Sequence, residues 1–391
     1  MAPADGITFE APTEFALLLR LLSPQDKAGG AREVIYSGVD WERLVRLAVH
    51  HKVLAQLYAV LGSELRDYVP AEAFQHLEEQ AHDNARRNLL LTAKLLKLLA
   101  LFGAEGIRAV PFKGPLLALS AYGDSSMRQF GDLDLLVRPE DVPRARRVLV
   151  SQGYAPQFPL TDAQESRLIK FRNEHAFYHE GQGVAVDLHW MLSPRWLHAD
   201  SNGEGIWARL QSAAVGGRPV PTLDPNDLLL FLCVHGSKHC WSQLGMVYDV
   251  ATLLRAAAPD WEALFARARR EGSTRMLCLG LHMASTLFRV ELPEGVAEEV
   301  NADPRIKGLA AESCAKLRRE PEEPWGQFEE LRFNARVIEG LRVKALFYLD
   351  ALMTPTPLEW EYLTLPERLS FLYYLVRPFR LALKHGKVYS G

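Results

Sequence analysis

The chain has 391 residues, 48% hydrophobic and 24% charged, with a formal net charge of −3 from 45 basic and 48 acidic side chains. A single core rarely grows past roughly 250–300 residues, so two or three cores are expected. The near-neutral balance gives no whole-protein field for gathering polyanions and argues against a dedicated nucleic-acid binder.

Cys233, Cys240, Cys278 and Cys314 form no C-x-x-C pair, and the N-terminus shows no charged segment followed by an apolar one. Both features predict a cytoplasmic protein. The most apolar long run, Asn88 to Phe102, is interrupted by Lys94 and Lys97 and is too short to span a bilayer; it reads as a buried helix.

In chain order, helical spacing runs from about Glu14 to Gly103. Asp40 stands at an N-cap position ahead of Trp41, with Glu42 early in the turn, and a longer helix is predicted from about Ala71 through Leu101. The pattern changes between about Gly106 and Pro194. Ile107–Phe112 is short, apolar and β-like, and Lys113-Gly114-Pro115 turns into a helix over Leu116–Tyr122, with Pro115 suited to its first turn. Gly131–Val137 alternates as a strand does, Asp141–Gln152 is a helix, and His175–His179 with Val184–Trp190 make a hairpin. From about Asp200 the chain reads as helical again. Asp224-Pro225-Asn226-Asp227 opens one helix, Pro321 with Pro324 and Pro355 with Pro357 mark connections, and Leu369–Lys387 forms a Pro378-interrupted amphipathic segment with a basic outer face. Three regions follow: helical 1–105, a core over 106–195, and a mainly helical 196–391.

Asp132-Leu133-Asp134 carries the chemistry. Residues i and i+2 of a strand share a face, so both carboxylates point one way while Leu133 and Leu135 enter the core. Two carboxylates held this close repel and lose hydration, and a divalent cation relieves both costs; oxygen ligands suit Mg²⁺ or Mn²⁺. Taken alone, D-x-D equally suits a solvated strand edge. Asp187, on the second hairpin strand, adds a third carboxylate for a two-metal site.

The order Phe112-Lys113-Gly114, Tyr122-Gly123, Arg128 and Gly131–Val137 resembles the uncharacterised nucleotidyltransferase family of the DNA polymerase β-like superfamily. Asp187-Leu188-His189-Trp190 and His235–Trp241, with Leu244 and Asp249, resemble its later motifs. The resemblance implies an α+β fold: a polymerase β-like core with a small mixed sheet, flanked by helical N- and C-terminal regions. It implies transfer of a nucleoside monophosphate from an NTP to an acceptor, pyrophosphate leaving, with Asp132, Asp134 and Asp187 as catalytic and metal-holding residues. Where the wider superfamily has Gly-Ser or Gly-Gly at the turn, this chain has Gly114-Pro115, without a hydroxyl and with one backbone donor fewer.

Lys113 beside Gly114 is placed to meet a β- or γ-phosphate at a helix N-terminus. Arg128 suits triphosphate oxygens or a salt bridge to one of the catalytic aspartates. His235 and His239, at i and i+4, share a helical face that lines a nucleotide or acceptor pocket with Lys238 and Trp241, or packs with its histidines bonded to carbonyls. No H-E-x-x-H accompanies them, so structural zinc is not expected. His189 shares a face with Asp187, where it is a half-exposed strand histidine or else orients Asp187 or meets substrate; Glu174 is the next acid on the hairpin. The acceptor is expected to be a small molecule or natural product. A protein acceptor, or an inactive nucleotide-binding scaffold, are the alternatives.

Overall fold

A computed structural model describes residues 13–23, 29–36, 38–197, 204–320, 326–355, 359, 363 and 372–386. The features expected at Pro321, Pro324, Pro357, Leu369, Phe371 and Lys387 lie outside them. Five helices come first: α1 (Thr13–Leu22), α2 (Gly29–Tyr36), α3 (Trp41–His50), α4 (Leu54–Glu64) and α5 (Ala71–Ala104). The Asp40 carboxylate accepts the Arg43 amide at 2.9 Å, forming the expected N-cap of α3. Along the 34 residues of α5, Leu91, Leu95, Leu98 and Phe102 recur at helical spacing and are buried. Asn88 interrupts that stripe for a reason. Its amide donates to the carbonyls of Ser125 at 2.6 Å and Arg128 at 2.7 Å, tying down the segment ahead of the D-x-D strand.

The middle region contains β1 (Val110–Pro111), α6 (Gly114–Tyr122), β2 (Asp132–Leu136), α7 (Val142–Ser151), β3 (Ala155–Pro156), α8 (Asp162–Phe171), β4 (Glu174–His179) and β5 (Val184–His189). The sheet has the order β1-β2-β5-β4-β3. Strands β2 and β5 run parallel and every other pair is antiparallel. This is the small mixed sheet of an α+β protein, with the predicted β4–β5 hairpin in place.

The expectation of helix from residue 200 onward needs correction. After α9 (Glu204–Arg209), β6 (Gln211–Val215) and β7 (Arg218–Thr222) form an antiparallel hairpin. Its two-residue turn, Gly216-Gly217, has φ of +56° and +74°, the conformation in which glycine closes a hairpin without steric cost. Helices then resume: α10 (Pro225–Lys238), α11 (Leu244–Ala256), α12 (Trp261–Glu271), α13 (Thr274–Phe288), α14 (Glu294–Ala302), α15 (Arg305–Leu317), α16 (Gln327–Val337), α17 (Leu341–Met353) and α18 (Tyr373–Gly386). At the crossing of α10 and α13, a Cβ on Gly280 would stand 2.5 Å from the Cys233 sulfur, so glycine sets how closely the two helices approach.

Two apolar clusters result. One gathers the inward side chains of the sheet, Leu133, Leu135, Val186 and Leu188, with the C-terminal half of α5. The larger one joins the two ends of the chain: α1, α3 and α4 share it with α10, α11, α13 and α15, and Val110 and Phe112 reach it from the sheet. The polar face of the sheet opens between them. No helix among the described residues is long and apolar enough to cross a membrane.

Candidate active site

Strand alternation places the acidic side chains. With Leu133 and Leu135 in the core, Asp132 and Asp134 occupy the opposite face of β2, and parallel pairing sets Asp134 directly beside Asp187 on β5. Antiparallel pairing then puts Glu174 of β4 opposite His189. Asp134 is 4% exposed, whereas Asp132 and Asp187 are partly open.

These groups form a chain of charges. Lys113 Nζ lies 3.3 Å from Asp134 Oδ1, and His189 Nε2 lies 3.3 Å from the same oxygen. His189 Nδ1 is 3.1 Å from Glu174 Oε2, close but not aligned for a hydrogen bond, and Lys238 Nζ is 3.8 Å from Glu174 Oε1. Burial opposes ionisation of Asp134, yet the Lys113 ammonium and His189 hold its carboxyl well below the usual carboxylate range. Lys113 mirrors this: burial works against its charge, and Asp134 and Asp132 carry its pKa above the ordinary value. Asp187 has no ion pair with a lysine or arginine among the described residues, and His189 offsets only part of what raises it. Burial, then the charges of Asp134 and Asp132, push its carboxyl up to about 6.

The donor set fits a divalent cation. Single ligand atoms of Asp134, Asp187 and His189 all lie within 4.8 Å of one another. Asp134 Oδ2 is buried without a hydrogen-bond partner, and the carboxylate pair repels for want of positive charge between its members. The two carboxylate oxygens suit Mg²⁺ or Mn²⁺, whereas the imidazole nitrogen is a donor that softer divalent ions favour. The group differs from the Asp132, Asp134 and Asp187 set read from the sequence by including His189; Asp132 lines the same cavity of about 340 Å³.

The turn before α6 supports this wall. Gly114 has φ of +48°, and a Cβ there would lie 3.3 Å from the Asp132 carbonyl oxygen, so glycine lets the turn press against β2. Pro115 begins α6, where its missing N–H has no helical partner to lose.

The profile of the family described as "Uncharacterised nucleotidyltransferase" matches residues 37–289. The chain belongs to this family. Among solved structures, an antigenic nucleotidyltransferase-like protein from Paracoccidioides brasiliensis is similar at 13% identity, with 56% of this chain and 98% of that one covered and a TM-score of 0.33. No curated protein matches.

The later motif residues of this nucleotidyltransferase come to the same cavity by other routes. Arg128 pairs neither with Asp132, Asp134 or Asp187 nor outward. Its guanidinium closes in a fork on Asp249 of α11, at 2.8 Å for both contacts, and the Tyr122 hydroxyl donates to Asp249 at 2.6 Å. The pair ties the loop ahead of β2 to the C-terminal helices. On α10 His235 stacks on Phe231, and His239 at the helix C-cap lies tilted against His235, their ring centroids 4.6 Å apart. Burial and then the Lys113 charge lower the pKa of His235 well below its usual value, and burial with Lys238 brings His239 to about 4. Both rings are therefore neutral at pH 7. Two features escaped the sequence reading. The partner of Arg128 lies 121 residues away, and Lys52, in the turn between α3 and α4, lines the same cavity as the carboxylates with no local signal to announce it.

Proposed function

We propose that this nucleotidyltransferase moves a nucleoside monophosphate from an NTP to a small-molecule acceptor and releases pyrophosphate. The observation that carries the reading is the side-by-side placement of Asp134 and Asp187, one held ionised by Lys113 and His189, the other repelled by its neighbours. In this reading Asp132, Asp134 and Asp187 hold Mg²⁺ or Mn²⁺, with His189 Nε2 as a further donor. When bound, the cation supplies charge that neutralises the triphosphate and acidifies the acceptor.

The remaining roles belong to the protein. Lys113 and Gly114, at the start of α6, lie against the phosphates, and Arg128 acts through Asp249 by holding the loop that leads into β2. The acceptor oxygen attacks the α-phosphorus in line. A new P–O bond forms as the bond to the α–β bridging oxygen breaks, and pyrophosphate leaves with that electron pair. The acceptor proton passes by way of the Asp187 carboxylate to solvent. Positioning and charge account for most of the rate, as in phosphoryl transfer generally. His235, Lys238 and His239 form the acceptor side.

Residues 106–195 are the catalytic unit in this account, with 1–105 and 196–391 as helical flanks, in a cytoplasmic protein. A net charge of −3 and a cavity of about 340 Å³ support a small acceptor over a polynucleotide. One observation favours an inactive, nucleotide-binding scaffold instead: the Lys113 ammonium sits on Asp134, in a turn without a hydroxyl. Thermal melts separate the two halves of the claim. Mn²⁺ plus an NTP should raise the melting temperature by mass action. The folded Asp132→Ala, Asp134→Ala double variant should lose that increment, and retention of it contradicts the metal assignment.

A further inference from the structure

Pairing off the ionic groups around the cavity leaves a remainder. Arg128 is committed to Asp249 and Lys113 to Asp134, and Lys238 faces Glu174. Asp132 and Asp187 remain as free carboxylates. Lys52 remains as a cation with no carboxylate at ion-pair distance among the described residues. It is exposed to the cavity, which it lines together with an adjoining groove bounded by Asn84, Arg87 and Gly131.

Its backbone is also out of the ordinary. Lys52 has φ of +57°, in the left-handed region that disfavours a side chain, just past the end of α3 where glycine is the usual residue. The surroundings impose that conformation. Lys52 N donates to the Val49 carbonyl at 3.1 Å, and Val53 N to Ala48 at 2.9 Å. From α11, Gly245 N donates to the His51 carbonyl at 2.8 Å, and the Gln243 side chain donates to the His50 carbonyl at 3.0 Å. Gly245 packs so closely that a Cβ there would stand 3.1 Å from the Lys52 Cβ. Cys240, Trp241 and Arg289 share this conformation; what the clamp from two elements does at Lys52 is fix the backbone from which its side chain meets the cavity. Burial, with the Arg128 and Lys113 charges, lowers its pKa against the pull of Asp132, as befits a cation lacking its counter-ion.

Building on the nucleotide-transfer reading, we infer that Lys52 is a phosphate-binding residue whose ammonium receives the β- and γ-phosphates of the donor from the α3–α4 turn, in the cavity that the carboxylates also line. The helical segment ahead of the sheet thereby becomes part of the nucleotide site, and the contact compensates for a glycine turn without a hydroxyl.

Calorimetric titration of the full chain tests this with the four NTPs, their NMPs and inorganic tripolyphosphate, each with Mg²⁺. Lys52→Gly and Lys52→Asn both accept the left-handed backbone, so the unliganded variants should melt no lower than the wild type. Losing a charged contact to phosphate should weaken the best-bound NTP and tripolyphosphate by about tenfold or more, with the matching NMP changed by less than about twofold. Unchanged NTP and tripolyphosphate affinity in both variants overturns the assignment, as does an equal loss for NMP. Tripolyphosphate binding that depends on Lys52, in a wild type that binds no NTP, leaves the Lys52 site standing and removes the nucleotide-transfer reading. A wild type that binds neither removes both.

Discussion

Asp134 and Asp187 are neighbours in register, yet their carboxyls are pushed in opposite directions, because Lys113 pairs with Asp134 while burial and the Asp134 and Asp132 charges act on Asp187. The raised pKa of Asp187 carries a sign that can be checked without any assay of activity. A carboxyl with a folded pKa of about 6 and an ordinary value of 3.8 binds its proton more tightly in the folded chain. Its ionisation therefore costs stability, and the cost grows as pH rises from about 4 to about 6 and then levels off. Asp187→Asn removes that ionisation. In the absence of divalent cations the variant should gain roughly 1–3 kcal/mol on the wild type above pH 6, and the gain should vanish below about pH 4. Denaturant melts across that range measure it. A variant less stable than the wild type at pH 7 contradicts the electrostatic picture. The carboxylates themselves were legible in the sequence because strand periodicity alone assigns them a common face. The Lys113–Asp134–His189 connections were not, since they need the register between strands separated by 50 residues of chain.

At the scale of elements, the strand–turn–helix unit leading to β2 was readable from Gly114-Pro115 and the D-x-D alternation, and the β4–β5 hairpin from the glycine-bearing joint Glu180-Gly181-Gln182-Gly183 between two strand candidates. The hairpin of β6 and β7 had its signal too, the Gly216-Gly217 pair, but it stood in a stretch otherwise dominated by helical spacing. Likewise α8 begins with a capping box in which Thr161 and Gln164 cap each other, a signature that the sequence carries between the helix over Asp141–Gln152 and the strand at His175. The glycine turn yields a direct test. Gly114→Ala adds a methyl group at φ +48°, 3.3 Å from the Asp132 carbonyl. It should cost about 1–2 kcal/mol in folding and, by displacing Asp132, weaken Mn²⁺ binding as well. Unchanged stability and Mn²⁺ affinity by melts and titration count against a tight turn there.

For the whole molecule, the informative fact is that the N- and C-terminal helices share one core and close over the polar face of the sheet. Periodicity reveals which face of each helix is apolar but not which helix it meets, so the Arg128–Asp249 pair and the approach of Lys52 through Gly245 emerge only from the folded chain. The enclosure supports a reaction kept away from bulk water, with substrate held between helices on one side and carboxylates on the other. Its central claim concerns which phosphorus is attacked. Purified protein with Mg²⁺ and a cell extract should be supplied in parallel with each NTP labelled at the α- or the γ-phosphate. Nucleotidyl transfer predicts α-label in a new acceptor product, γ-label in pyrophosphate, and a fall of roughly two or more orders of magnitude with Asp187→Asn. Transfer of the γ-label to the acceptor, or α-label incorporation that Asp187→Asn leaves unchanged, would contradict it.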